Sequence, residues 1–203
     1  SDPRRAPAAL SVVPYVEATF GAWHVRGGLA RLGEAVHARA LERGVGVRTG
    51  TDVAHVLVEG GRAAGVQLAT GERLAADVVV SDADASHLYA DLVPDGVASV
   101  ARRRLRRATP SLSGFVLLLA LRGETPGLAH HSVLFPADYD AEFDAVFGRA
   151  ARPVEDPTVY VCSPHDPTMH PAGHEAWFVL VNAPRHGSGP GALDWTRQGL
   201  ATA

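Results

Sequence analysis

Glycine pairs, clustered histidines and a lone thiol are the residues of this chain whose types and spacing suit chemistry. Gly27-Gly28 precede a helical pattern, and glycines at a helix start expose backbone N–H groups that can hold an anion. The same pair also serves as a plain hinge between a strand and a helix. His165, Asp166, His170 and His174 are metal-ligand types close in sequence. Their spacing matches no standard zinc pattern, and Pro164, Pro167 and Pro171 mark a loop, so no metal site is expected there. His130-His131 are adjacent on an expected strand, which points them to opposite faces and away from a shared ion. Cys162 lies in the strand-like run Thr158–Cys162 and reads as a small buried hydrophobe, not a nucleophile. Ser111 and Ser113 lack the G-x-S-x-G elbow of a hydrolase. No G-x-G-x-x-G opens a helix after a strand. No protein nucleophile or acid/base pair emerges from the pattern, and no catalytic residue is assigned.

The 203 residues suffice for one large domain or two small ones. Hydrophobic residues make up 46% and charged residues 20%, an ordinary globular balance. A net charge of -3 gives no global drive toward nucleic acid or anionic membrane. One cysteine cannot form an internal disulfide. No apolar run nears the roughly 20 residues of a membrane span. The start, Ser1-Asp2-Pro3-Arg4-Arg5, leads into no apolar signal region. A serine start and a single methionine fit a chain excerpted from a longer protein.

The elements that must position these residues are legible in part. Ala8 to Phe20 reads as one or two short helices around Pro14. Trp23-His24-Val25 is extended. Leu29, Leu32, Val36 and Ala40 fall at helical spacing, and Gly44 supplies the stop. Strands are expected at Val45–Thr49 and Val53–Val58, the second a central one. A Glu59-Gly60-Gly61-Arg62 hairpin turn and a return strand through Ala64, Val66 and Leu68 follow. Asp77–Val80 reads as a strand covered on both faces. Ser86–Leu92 and Val97–Ala108 read as helices; Arg102, Arg103, Arg104, Arg106 and Arg107 make the second a solvated face, with anionic lipid as the other reading. Ser113–Leu121 is an apolar strand suited to burial. Strands at His130–Phe135, Thr158–Cys162 and Ala176–Asn182 and a helix at Tyr139–Phe147 complete the pattern. The fold class is α+β, with one strand cluster between Val45 and Ser81 and another between Ser113 and Asn182.

Several motifs run in order along nearly the whole chain. They are His24-Val25-Arg26-Gly27-Gly28, Ser81-Asp82-Ala83-Asp84, Pro110-Ser111-Leu112-Ser113-Gly114-Phe115-Val116-Leu117, Leu128-Ala129-His130-His131-Ser132-Val133 and Leu193-Asp194-Trp195. Together they resemble the FAD-dependent phytoene-desaturase (carotenoid desaturase) family; Asp82 stands where that family usually has Asn. The resemblance implies a fragment of a two-domain flavoenzyme: part of the FAD domain with its β-meander, plus most of a substrate domain with a mixed sheet and helices. Residues 1–22 and 85–203 would be substrate domain and residues 23–84 FAD domain.

By the same resemblance, the backbone of Val53 meets the adenine ring of FAD, and Leu117 and Leu119 line an apolar channel for a long polyene. The activity implied is desaturation, with hydride transfer to flavin in the full-length protein. FAD is not expected to stay on this chain alone, because the phosphate-binding loop is missing. A non-catalytic lipid- or partner-binding module is the alternative function. A metal-dependent enzyme using the 165–174 loop is a third. Expected partners are an apolar polyene and a second copy of the chain, with peripheral membrane contact and no nucleic acid; the expected location is cytoplasmic, at or near a membrane.

Overall fold

The computed structural model describes residues 2–187 and 189–196. The chain divides into two compact units, residues 1–39 with 110–203 and residues 40–109. Each is described by itself.

The first unit opens with helix α1 (Val12–Phe20), preceded by a short 3-10 turn at Ala8–Ser11, so the Ala8–Phe20 segment forms as read. Gly21, at φ 81, ends it. Trp23-His24-Val25 takes no regular secondary structure and pairs with no strand. Gly27 and Gly28 follow at φ 82 and 87, a region closed to most side chains, and helix α2 (Ala30–Glu42) starts directly after them. The body of the unit is a four-stranded sheet built of β4 (Ser113–Arg122), β5 (His131–Leu134), β6 (Val159–Cys162) and β7 (His174–Ala183), in the order β4-β7-β6-β5. The expected mixed sheet is antiparallel in all these pairings, because each link from β5 to β6 and from β6 to β7 returns the chain at the end it left. Parallel pairing is confined to the short β8 (Arg185–His186) and β9 (Ala192–Leu193).

Helix α5 (Tyr139–Phe147) forms where the sequence indicates. Asp138 caps it by accepting from the N–H groups of Asp140 and Ala141, both at 3.1 Å. Asp140 and Glu142 put negative charge in its first turn, where the helix dipole favours it. The helix buries Phe143, Ala145 and Val146, the centre of this unit's core with Val161 and Ala183. Glu142 is buried with them, 1% exposed. Its carboxylate accepts from the Thr158 N–H at 2.9 Å, the Thr158 hydroxyl and the Asn182 amide at 3.0 Å. That carboxylate thereby fastens α5 to β7 and to the segment leading into β6.

Strand β4 does not take the buried position its composition suggests. It pairs with β7 over ten residues, from Ser113↔Ala183 to Arg122↔His174, but stands at the sheet edge. Leu118 is 77% exposed and Phe115 58%. An apolar strand is buried only where something covers its second edge and faces, and the described residues supply no such cover.

The second unit is a three-stranded antiparallel meander, β1 (Val53–Glu59), β2 (Arg62–Leu68) and β3 (Arg73–Ala75). The Gly60-Gly61 turn joins β1 to β2 as read, at φ 57 and 79. Val56 and Leu68 are its buried centre. Gly65 is required by close approach: a Cβ there would lie 2.0 Å from the Leu74 carbonyl oxygen. Beyond the sheet come α3 (Ala85–His87), a π turn (Leu88–Leu92) that packs on β1, and α4 (Ser99–Leu105).

Four expectations fail in this unit. Val45–Thr49 has no regular secondary structure and joins no sheet. Asp77–Val80 forms no strand either, and Val78 and Val80 are 75% and 90% exposed. A strand covered on both faces needs neighbours for its backbone, and no described strand pairs with either segment. The strand with Val53 is the outer one, not a central one, since β1 pairs with β2 alone. The α4 arginines are also not one solvated face. Arg102 turns inward and donates to the carbonyls of Tyr89 and Val93, the latter at 2.7 Å, and pairs with Asp95. Arg103, Arg104, Arg106 and Arg107 are exposed.

Candidate functional site

The residues with chemical character in the first unit converge on the 163–173 loop between β6 and β7. Asp166 is its centre, with a side chain only 6% exposed. One carboxylate oxygen, Oδ2, accepts the Gly27 backbone N–H at 2.6 Å and faces His24 Nε2 at 3.1 Å. The other, Oδ1, accepts the Thr168 hydroxyl at 2.6 Å and the Thr168 N–H at 2.9 Å. The Thr168 hydroxyl above all, then the Gly27 and Thr168 N–H groups, hold this carboxyl well below the usual carboxylate range.

The anion-binding reading of Gly27-Gly28 is thus fulfilled from inside the chain. The Gly27 N–H is already occupied by Asp166, so it is not open to a phosphate. Gly28 is buried, closes its turn by donating to the Val25 carbonyl at 2.8 Å, and lies against Met169. In sequence Asp166 stands out only as a metal-ligand type; its pairing across 139 positions carries no local signal.

Beside this lock the histidines gather. His24 stands edge-on to His130 with ring centroids 5.0 Å apart; His131 and His165 lie 4.5 and 5.8 Å from the His130 ring. Burial first, then the neighbouring His131, His24 and His165, lowers the His130 pKa. The expectation that His130 and His131 diverge is therefore overturned. His130 lies just before β5, which starts at His131, so strand alternation does not govern it. His131 Nδ1 is hydrogen-bonded to the Tyr160 hydroxyl at 2.8 Å. Its cross-strand partner is Cys162, which is half-buried rather than a core hydrophobe.

The histidines of the 165–174 loop do not converge on one point. His165 Nε2 meets the Leu128 carbonyl at 2.9 Å, while His170 and His174 turn to the carbonyls of Pro171 and Ala172 at 3.2 and 3.0 Å.

An apolar groove of about 300 Å³ lies along the β4–β7 edge, lined by Leu118, Leu119, Cys162, Met169, Trp177 and Phe178, among others. Leu119 is half-buried in its wall. Leu117 is 42% exposed and does not line it. In the second unit, Val53 opens the outer strand β1 opposite Leu68, 38% exposed. Asp84 of the Ser81-Asp82-Ala83-Asp84 motif caps α3 by accepting the Ser86 N–H at 2.7 Å.

The chain belongs to the family of flavin containing amine oxidoreductases, whose pattern matches residues 7–184. Within it, the chain is similar to the zeta-carotene-forming phytoene desaturase of Myxococcus xanthus, 35% identical over 199 residues, which covers 97% of this chain and 37% of that protein. It is likewise similar to 4,4'-diapolycopene oxygenase of a Methylomonas species, 35% identical over 186 residues, covering 91% of this chain and 37% of the relative. Hydroxyneurosporene desaturase of Rubrivivax gelatinosus is 39% identical over 192 residues, covering 92% and 35%. The chain thus spans little more than a third of these relatives' length. Its fold matches a solved oxidoreductase from Methanosarcina mazei at a TM-score of 0.56 and 18% identity, over 77% of this chain and 33% of that one. The resemblance carried by the motifs is borne out at the level of family and α+β fold.

Proposed function

We propose that this chain is the interior part of an FAD-dependent oxidoreductase that desaturates a long apolar polyene of the carotenoid type. The observation that carries the reading is the 35% identity to a phytoene desaturase over 97% of the chain. Residues 23–84 belong to the FAD domain in this reading, and residues 1–22 and 85–203 to the substrate domain.

The residues present suit part of the cofactor. Val53 opens an outer strand whose far edge takes no partner in the sheet, which leaves backbone groups for the adenine edge. Among the described residues the pyrophosphate finds no comparable host, since Asp166 takes the Gly27 N–H. The chain alone is therefore not expected to retain FAD. When bound in the full-length enzyme, FAD supplies the hydride acceptor.

The chain's own residues contribute binding and exclusion of water. Leu119, Trp177 and Phe178 offer wall for a hydrocarbon chain, and Leu117 extends the same apolar strand. A substrate with no polar groups is held by area and shape, so such a site requires few convergent polar residues.

The apolar strand β4 supports the same reading. On β4, Phe115 and Leu118 are 58% and 77% exposed. The exposed apolar faces suit coverage by the rest of the flavoenzyme, or by a second copy. Among the described residues no helix is long and apolar enough to cross a membrane. Peripheral contact through Arg103, Arg104, Arg106 and Arg107, on a cytoplasmic enzyme, is the mode proposed for reaching a membrane-dissolved substrate.

The test uses the full-length flavoenzyme, loaded with FAD and mixed anaerobically with phytoene in detergent. Bleaching of the oxidised flavin band together with a longer polyene chromophore is expected. An oxidised flavin that persists, with unchanged polyene, for each of phytoene, zeta-carotene and neurosporene would overturn the proposal.

A further inference from the structure

The corner where the chain reaches β5 holds a donor set that the desaturation chemistry does not use. His130 stands just before β5, His131 is its first residue, and Cys162 is the last residue of β6, directly across from His131. One ligand atom from each of the three lies within 4.8 Å of the others. We propose that His130, His131 and Cys162 form a binding site for a borderline-soft divalent cation of the zinc class, with water completing the coordination.

The donor chemistry selects the ion. Two imidazole nitrogens and one thiolate suit zinc and its neighbours, whereas magnesium and calcium require oxygen ligands, and none of the three offers one. The distances are close to those needed. Zinc lies about 2.0–2.1 Å from nitrogen and about 2.3 Å from sulfur, so tetrahedral donors stand roughly 3.3–3.7 Å apart. A contraction of about 1 Å from the observed spread is enough. Side-chain rotation supplies such a shift without moving a strand.

The surroundings already orient the His131 ring. The Tyr160 hydroxyl engages His131 Nδ1 at 2.8 Å and leaves Nε2 for the ion. Metal-binding histidines commonly use their second nitrogen in this way, to fix ring orientation. His130 and Cys162 are half-buried and His131 exposed, so an ion has a path from solvent and an open position for water. The β5–β6 register, from His131↔Cys162 to Leu134↔Val159, holds two of the ligands on one rigid element.

The site differs from the loop dismissed on sequence grounds. Neither His170 nor His174 takes part, and what assembles it is tertiary: a residue outside a strand, its neighbour inside it, and a thiol 31 positions beyond the second histidine on the next strand.

Cobalt(II) titration of the purified protein tests the proposal, because a thiolate ligand gives cobalt a charge-transfer band that histidines alone cannot. One equivalent is expected to produce that band, and zinc to displace it. Cys162→Ser should abolish the band with the far-UV circular dichroism unchanged. His131→Gln, at an exposed position, should weaken binding at least tenfold. His37→Gln, on the exposed face of α2, should leave binding unchanged. Absence of a thiolate band in the wild type, a band that survives Cys162→Ser, or unaltered affinity in His131→Gln would each overturn the site.

Discussion

Asp166 and Gly27 are 139 positions apart in sequence and joined by a 2.6 Å hydrogen bond from the glycine N–H to the carboxylate. The bond ties the turn that starts α2 to the loop between β6 and β7, and it fills the anion position that the paired glycines create. Asp166→Asn keeps the shape but removes the charge. Hydrogen exchange at the Gly27 amide should then accelerate roughly tenfold, as expected for losing a charge-assisted bond. Unchanged exchange would show that the turn holds itself.

The same carboxylate sets an acid limb. Its pKa is depressed in the fold, so its stabilisation is fully present above the ordinary value of about 3.9. It is lost as pH falls through the lower folded value. Acid unfolding of the wild type should therefore steepen below about pH 4, and Asp166→Asn should flatten that limb. Tryptophan fluorescence reports it, since Trp23, Trp177 and Trp195 all lie in the first unit. Superimposable pH curves for the two proteins would count against the assignment.

Glu142 joins three donors on one buried carboxylate. Glu142→Leu fills the space but strands the Thr158 N–H and the Asn182 amide, at a cost of about 2–4 kcal/mol. Glu142→Gln, which keeps an acceptor oxygen, should cost less than half as much. Urea unfolding followed by fluorescence measures both; equal losses would mean that the volume, not the acceptor, matters.

Gly65 sits at φ 143 with the Leu74 carbonyl in the place of a side chain. Gly65→Ala should destabilise the meander by about 2–4 kcal/mol, because strain and clash act together. Gly71→Ala, at φ 89 but in open space, should cost less. Limited proteolysis at the Gly60-Gly61 hairpin reads the difference, and equal protection in the two variants would contradict the close approach.

Leu118 lies 77% exposed on an apolar edge strand, a surface prone to pairing with another chain. The isolated chain should associate in concentrated solution. Leu118→Lys should lower its mass by light scattering, since a charge on an edge opposes strand pairing. A wild type that stays monomeric at high concentration would remove the premise.

In the full-length enzyme, Val53→Ile should leave flavin content nearly unchanged, because the contact proposed for Val53 is made by backbone. Val53→Pro should lose flavin. Since β1 is an outer strand, proline is tolerated better there than in a central one, which sharpens the comparison with His55→Pro in the same strand. Equal flavin loss at equal loss of thermal stability would leave Val53 no special part.

The sequence by itself determined the family, through motifs in order, and those elements whose signals are local. Helix α5 carries its own cap in Asp138, α2 stops at Glu42 just before the positive-φ Gly44, and the hairpin at Gly60-Gly61 needs only two residues that accept positive φ. The α+β class and the separation of two strand clusters followed from hydrophobic pattern alone. Pairing and burial did not. Val45–Thr49 and Asp77–Val80 have the composition of strands, yet a strand exists only if another backbone answers its hydrogen bonds, and composition does not say whether one is present. The same holds for β4, whose apolar run reads as core but stands at an edge. The histidine corner shows the limit most sharply. Alternation along a strand separates His130 from His131 only if both lie in it, and a shift of one residue in where β5 begins brings their rings to 4.5 Å. Asp166 reaches Gly27, and Cys162 reaches His131, through the packing of loop and strand. Contacts between residues far apart in sequence are set by the whole fold, and no local pattern encodes them.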